Sequence, residues 1–237
     1  MSEGEGFLAT LAAVYVAPGR AFRGIAARPR WDAPLALAIA VGLVFTAVWI
    51  SRADAVEFMR AQMEEAGAME RIAPEKRAEV LRGQAMWFTA FAWVQPLFLV
   101  PLACAALAAL FLGVYRFFYA ADLRFAQSFA VVVWTYAAYK LVAAPLNLLV
   151  MSLTGEWSVD PESALHANLG ALLDRATAPP PLYALASSLD LLTLWALALL
   201  SIGYAAAIGT RAWTAAWGVL VPWGAWLLGG AALAALF

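Results

Sequence analysis

Residues 125–151 read FAQSFAVVVWTYAAYKLVAAPLNLLVM, and residues 182–209 read LYALASSLDLLTLWALALLSIGYAAAIG. Each run exceeds the ~20 mostly apolar residues that carry a helix across ~30 Å of hydrocarbon. Each also holds one charge, Lys140 in the first and Asp190 in the second. An ionisable side chain at the centre of a spanning helix costs about 2.5–3.5 kcal/mol on insertion scales, so both charges need compensation. The nearest candidate partner for each is the other.

Composition agrees with a membrane reading. Of the 237 residues, 65% are hydrophobic and 13% charged, and the mean hydropathy is +0.78. A soluble domain of this size has no interior large enough for so much apolar surface. The formal net charge of −1 leaves no global basic field, and no basic stripe interleaved with aromatics offers a nucleic-acid surface. The single cysteine, Cys104, excludes an intrachain disulfide and a cysteine-based metal cage.

Five stretches pass the length test: 33–52, 86–115, 125–152, 182–208 and 213–235. Pro96 and Pro101 lie inside the second, Pro145 inside the third and Pro222 inside the fifth. Each removes a backbone donor and frees a carbonyl one turn earlier, so the spacing predicts kinked or tilted helices.

Ahead of these lies FLATLAAVYV at 7–16, too short to span, preceded by Glu3 and Glu5 where a secretory signal would be basic. Pro18 suits a first helical turn. Beyond it Phe22 and Ile25 share one helical face, with Arg20, Arg23, Arg28 and Arg30 around them. Residues 1–32 therefore read as a cytoplasmic interfacial amphipathic segment, with Trp31 at headgroup level. Residues 33–237 form the membrane domain, with outer loops at 53–85 and 153–181. The first loop predicts two short surface helices, the second starting at Pro74. In the other, Asp160 with Pro161 and Glu162 opens a helix with Leu165, Leu169, Leu172 and Leu173 at helical spacing.

Lysines and arginines on the two sides of this topology tie. The short Arg116, Arg124 and Arg211 connections on one side, and the acidic 153–181 loop on the other, place the amino terminus inside and the carboxyl terminus outside. On that geometry Lys140 lies about 17 Å and Asp190 about 12 Å below the outer surface at 1.5 Å per residue, within reach of a lysine side chain. Gln95, beside the Pro96 bend, and Asn147, two turns beyond Lys140, could join them in a polar pocket. Trp31, Trp49, Trp87, Trp157, Trp213 and Trp217 fall near span ends, where aromatic belts belong. Trp93, Trp134, Trp195, Trp223 and Trp226 are expected to pack the bundle.

No catalytic pattern stands out. His166 has no second histidine or cysteine with which to share a metal, and HExxH, GxSxG and a phosphate-binding glycine loop are absent. The expectation is a non-enzymatic protein without metal or cofactor.

Three stretches together resemble bacterial Yip1-domain proteins. LASSLDLLTLWALALLSIGYAAAIGTRAW, residues 185–213, resembles the family's closing signature, with Asp190, Trp195 and Gly203 at its Asp, Trp and Gly positions. APGRAFRGIAARPRWDAPL, residues 17–35, is similar to its opening pattern through Pro18, Phe22, Ile25 and Pro29, and RFAQSFAVVVWTYAAYKLVAAPLNLL, residues 124–149, to its middle portion. The resemblance implies an all-α, multispanning membrane protein. Eukaryotic relatives associate with Rab GTPases and with one another in vesicle traffic. This chain lacks their long amino-terminal region and DLYGP motif, and a bacterium has no Rab proteins, so that role is not carried over.

The sequence thus specifies an all-α polytopic membrane helix bundle of about five transmembrane helices, with an interfacial N-terminal helix and helical outer loops, in a bacterial cytoplasmic membrane. Its expected partners are the lipid bilayer and other membrane proteins or further copies of itself, not nucleic acid. The expected role is a scaffold or adaptor. The alternative is a small transporter or channel for an ion, solute or lipid, using a polar pocket around Lys140 and Asp190.

Overall fold

The computed structural model describes residues 6–158, 164–165, 170, 179, 182, 185–187 and 189–234. Nine α-helices of ten or more residues lie among them: α1 (Phe7–Val16), α2 (Pro18–Ala27), α3 (Asp32–Arg52), α4 (Ala55–Glu65), α5 (Arg77–Val94), α6 (Val100–Tyr119), α7 (Phe125–Thr154), α8 (Leu191–Ile208) and α9 (Ala212–Ala234). Five helical stretches are long and apolar enough to cross a membrane: Asp32–Arg52, Pro74–Tyr119, Phe125–Thr154, Leu191–Ile208 and Ala212–Ala232. The fold is an all-α polytopic bundle.

Two expected boundaries move. The second surface helix of the first loop is not separate. After α4, capped by the Asp54 carboxylate on the Val56 and Glu57 amides, two 3₁₀ turns lead into α5, which runs on into the second span. Gly83 alone is too weak a breaker to end a helix whose neighbours favour it. The fourth spanning helix begins at Leu191 rather than at 182. The carboxylate of Asp190 accepts from the amides of Leu192 and Thr193 at 3.0 and 2.9 Å, so it satisfies donors that a helix start leaves open.

The chain forms two compact units. One comprises residues 1–36, 103–139 and 166–237, the other 37–102 and 140–165. In the first, α2 packs on α8, which also packs on α9. Its interior is aromatic: Tyr115 and Tyr204 are fully buried and stack at 4.6 Å, with Phe111 5.1 Å from Tyr204. Gly218 makes room for Tyr115, since a Cβ there would lie 2.7 Å from the ring. Between α6 and α7 the chain turns through Ala120 at φ 49°, while Ala121 donates to the Tyr115 carbonyl. This is a left-handed helix stop built without glycine.

In the second unit, Pro96 sits in a π-helical turn, Gln95–Leu99, that joins α5 to α6. Proline interrupts the regular ladder and frees the carbonyl four residues back, that of Ala92. Thr46 of α3 donates its hydroxyl to that carbonyl at 3.4 Å. One turn earlier on α3, Gly42 lets the helix approach the proline, and a Cβ there would stand 3.0 Å from Pro96 Cβ. Pro145 is accommodated inside an uninterrupted α7.

Trp49, expected at a headgroup belt, is instead buried, edge-on to Phe58 and Phe88 at 5.2 and 5.6 Å. Met151 and Ala164 complete that cluster. Trp226 and Trp93, expected to pack the interior, are 80% and 40% exposed. Position along a span says how deep a residue lies, and helix rotation decides whether it meets lipid or protein.

Candidate functional site

The residues carrying the sequence signature converge in the first unit. Pro18 opens α2 at its first turn. Phe22 is 0% exposed and rests on Gly203 of α8, where a Cβ would lie 3.1 and 3.2 Å from the phenyl ring and 2.6 Å from a Val131 methyl of α7. Trp195 stacks with Tyr15 at 5.7 Å. The Tyr15 hydroxyl donates to the Ala138 carbonyl at 2.8 Å, and the Gln127 amide donates to the Ala26 carbonyl at 3.1 Å. Trp134 donates to the Arg30 carbonyl at 2.8 Å. Pro29 lies in the connection from α2 to α3 and is partly buried.

The same unit holds a group of buried hydroxyls. Ser128 donates to the Ala108 carbonyl at 2.7 Å and stands 2.8 Å from the Tyr204 hydroxyl. Tyr115 donates to the Ala215 carbonyl at 2.6 Å. These groups link α6, α7, α8 and α9. Ser128 could have been singled out from sequence as a hydroxyl inside an apolar run. Tyr115 and Tyr204 give no such signal, because a tyrosine in a span reads equally as belt or core.

Lys140, partly buried, belongs to the second unit, whereas Asp190 belongs to the first. Besides capping α8, Asp190 accepts from the Thr193 hydroxyl. Asn147, 5% exposed, accepts from the Leu165 amide at 2.8 Å and so ties the loop after α7 back to that helix. Gln95 begins the π-helical turn, half-buried. A groove of about 290 Å³ in the same unit is lined only by apolar residues, among them Val44, Phe45, Ala144 and Pro145. His166 and the Leu169, Leu172 and Leu173 stripe lie outside the described residues, as do Asp160, Pro161 and Glu162.

Arg20, Arg23, Arg28 and Arg30 are exposed, as are Arg116, Arg124 and Arg211 of the same unit. Arg116 Nε donates to the Leu123 carbonyl at 2.9 Å, which braces the turn between α6 and α7. Among the described residues no cluster of three histidine, cysteine, aspartate or glutamate side chains could hold a metal ion.

Membrane-length helices whose buried hydroxyls serve neighbouring carbonyls, with arginines at helix ends, make up a multi-pass integral membrane protein. The Yip1 domain family matches residues 12–234, nearly the whole chain, and the protein belongs to that family. No protein of curated function and no solved structure matches it.

Proposed function

We propose that the protein is a non-enzymatic membrane scaffold or adaptor that organises other membrane proteins, or further copies of itself. In this reading it sits in the cytoplasmic membrane of a bacterium, amino terminus inside. The observation that carries the proposal is the commitment of Asp190 and Asn147, two of the polar side chains that a transport pathway would need, to nearby backbone amides. Both carboxylate oxygens of Asp190 serve the start of its own helix, and Asn147 Oδ1 serves the Leu165 amide. The signature residues Phe22, Trp195 and Gly203 are spent on packing the amino-terminal segment. The exposed surface supports the reading by presenting arginines and apolar side chains such as Trp87, Phe98 and Trp226 for interaction.

Gentle extraction followed by crosslinking and native mass spectrometry tests this. Recovery of stoichiometric membrane-protein partners or a defined homo-oligomer is expected. Ion or solute flux in liposomes that is abolished by Asp190→Asn would overturn the proposal in favour of a transporter. Orientation is tested by thiol labelling of Ala68→Cys and of Glu156→Cys, an exposed position in the 153–181 loop, in a Cys104→Ala background. Labelling of both sites without opening the cytoplasmic face is expected.

A further inference from the structure

The contacts of α2 place its arginines at an unusual depth. Gln127 donates to Ala26 and Tyr15 donates to Ala138, so the eleven steps from Ala26 back to Tyr15 match the eleven from Gln127 to Ala138. Phe22 meets Val131 and Gly203 between these two points. Tyr15 also stacks on Trp195, in the first turns of α8, while Gly203 lies in its last turns. The stretch from Tyr15 through α2 therefore runs lengthwise along α7 and α8, antiparallel to α7 and parallel to α8. It does not lie across their ends.

Arg124, just before α7, and Arg211, just before α9, mark the membrane border on that side. Counting from Arg124 to Val131 puts Phe22 about 10 Å inward of this border at 1.5 Å per residue. Arg20 and Arg23 flank Phe22 at nearly the same depth. Their side chains are exposed, on the face of α2 turned away from the buried Ala21, Phe22, Ile25 and Ala26. Among the described residues neither guanidinium has a carboxylate within ion-pair distance. Arg28 continues the exposed basic run toward the border, while Arg30, past the end of α2, is also exposed and its carbonyl accepts from Trp134, ten residues along α7 from Arg124. A guanidinium at such depth is tolerated when a headgroup is drawn in to meet it, with local thinning of the leaflet, and guanidinium matches phosphate through paired donors.

We propose that Arg20 and Arg23, continued by Arg28 and Arg30, form a binding surface for the phosphate of an anionic phospholipid, held below the headgroup plane of the leaflet bordered by Arg124 and Arg211. Clustered arginines at a membrane surface select anionic over zwitterionic lipid by roughly five-fold per arginine. This assignment is independent of the scaffold reading.

The test uses the full chain in detergent with equal amounts of phosphatidylglycerol and phosphatidylcholine, with retained lipid counted by native mass spectrometry. Phosphatidylglycerol is expected to be enriched on the parent. The Arg20→Gln/Arg23→Gln variant should lower that enrichment about 25-fold if the two contributions add, whereas Arg71→Gln/Arg82→Gln should leave it unchanged. Equal retention of both lipids by the parent overturns the proposal, a result that does not depend on any variant folding. Equal loss in the two double variants also overturns it, by showing a bulk charge effect. Thermal stabilisation by inorganic phosphate equal to that by phosphatidylglycerol overturns the lipid assignment in favour of a simple anion site.

Discussion

Phe22 rests against the bare backbone of Gly203, and a Cβ at that glycine would come within 3.1 Å of its ring. The contact joins the amino-terminal signature to the carboxyl-terminal one. It is possible only because α8 has no side chain where α2 runs against it, and small residues let membrane helices approach in this way.

Gly203→Ala is therefore expected to destabilise the protein by about 1–3 kcal/mol, the usual cost of overpacking an interior. The closest obstruction is a Val131 methyl at 2.6 Å, which belongs to a β-branched side chain and moves little. Val131→Ala should recover part of the loss in the double variant, and thermal unfolding in detergent measures both. Additive losses would show that the two residues do not share this contact.

Thr46→Val removes the donor that meets the carbonyl released by Pro96, leaving Ala92 without that partner. The hydroxyl sits at the long end of hydrogen-bond distance, and such bonds in membrane bundles average about 0.6 kcal/mol. A loss of roughly that size is expected in thermal unfolding. In a Pro96→Ala background the Thr46→Val substitution should have no effect, because the regular ladder then takes the carbonyl.

Asp190 supports two readings that substitution separates. As a helix cap it tolerates asparagine, while Asp190→Ala costs about 1 kcal/mol. As the partner of Lys140 it would lose as much on conversion to asparagine as to alanine, and more singly than in combination with Lys140→Met. The hydrogen bonds to Leu192 and Thr193 lead us to expect the first pattern in unfolding measurements.

Ala120 occupies the left-handed region at φ 49° in the turn between α6 and α7. A side chain there costs about 1–2 kcal/mol that glycine avoids, part of which glycine's extra freedom in the unfolded chain returns. Ala120→Gly is expected to raise stability by about 0.5–1 kcal/mol, read as a higher unfolding temperature. A lower temperature would show that the turn is not a strained point.

Hydropathy alone placed the first, third and fifth spans to within two residues at each end, because ~20 contiguous apolar residues have few stable alternatives to a spanning helix. It misplaced the start of the fourth. An aspartate amid leucines carries the same sequence signal whether it sits mid-helix or caps the first turn, and only backbone geometry separates the two. The position of each tryptophan along its helix was legible, but its facing was not. Trp49 and Trp226 are equally apolar, yet one is covered by Phe58 and Phe88 while the other is exposed.

The sequence by itself determined the class of protein, the number of spans and the residues shared with the Yip1 family, since these follow from local apolar length and the order of motifs along the chain. Tertiary structure alone decided that Phe22 rests on Gly203, that Thr46 serves the carbonyl freed by Pro96, and that α2 runs lengthwise beside α7 and α8. Those pairings depend on helix rotation and close approach between distant segments, which hydrophobic patterning cannot specify in a chain that is apolar on nearly every face.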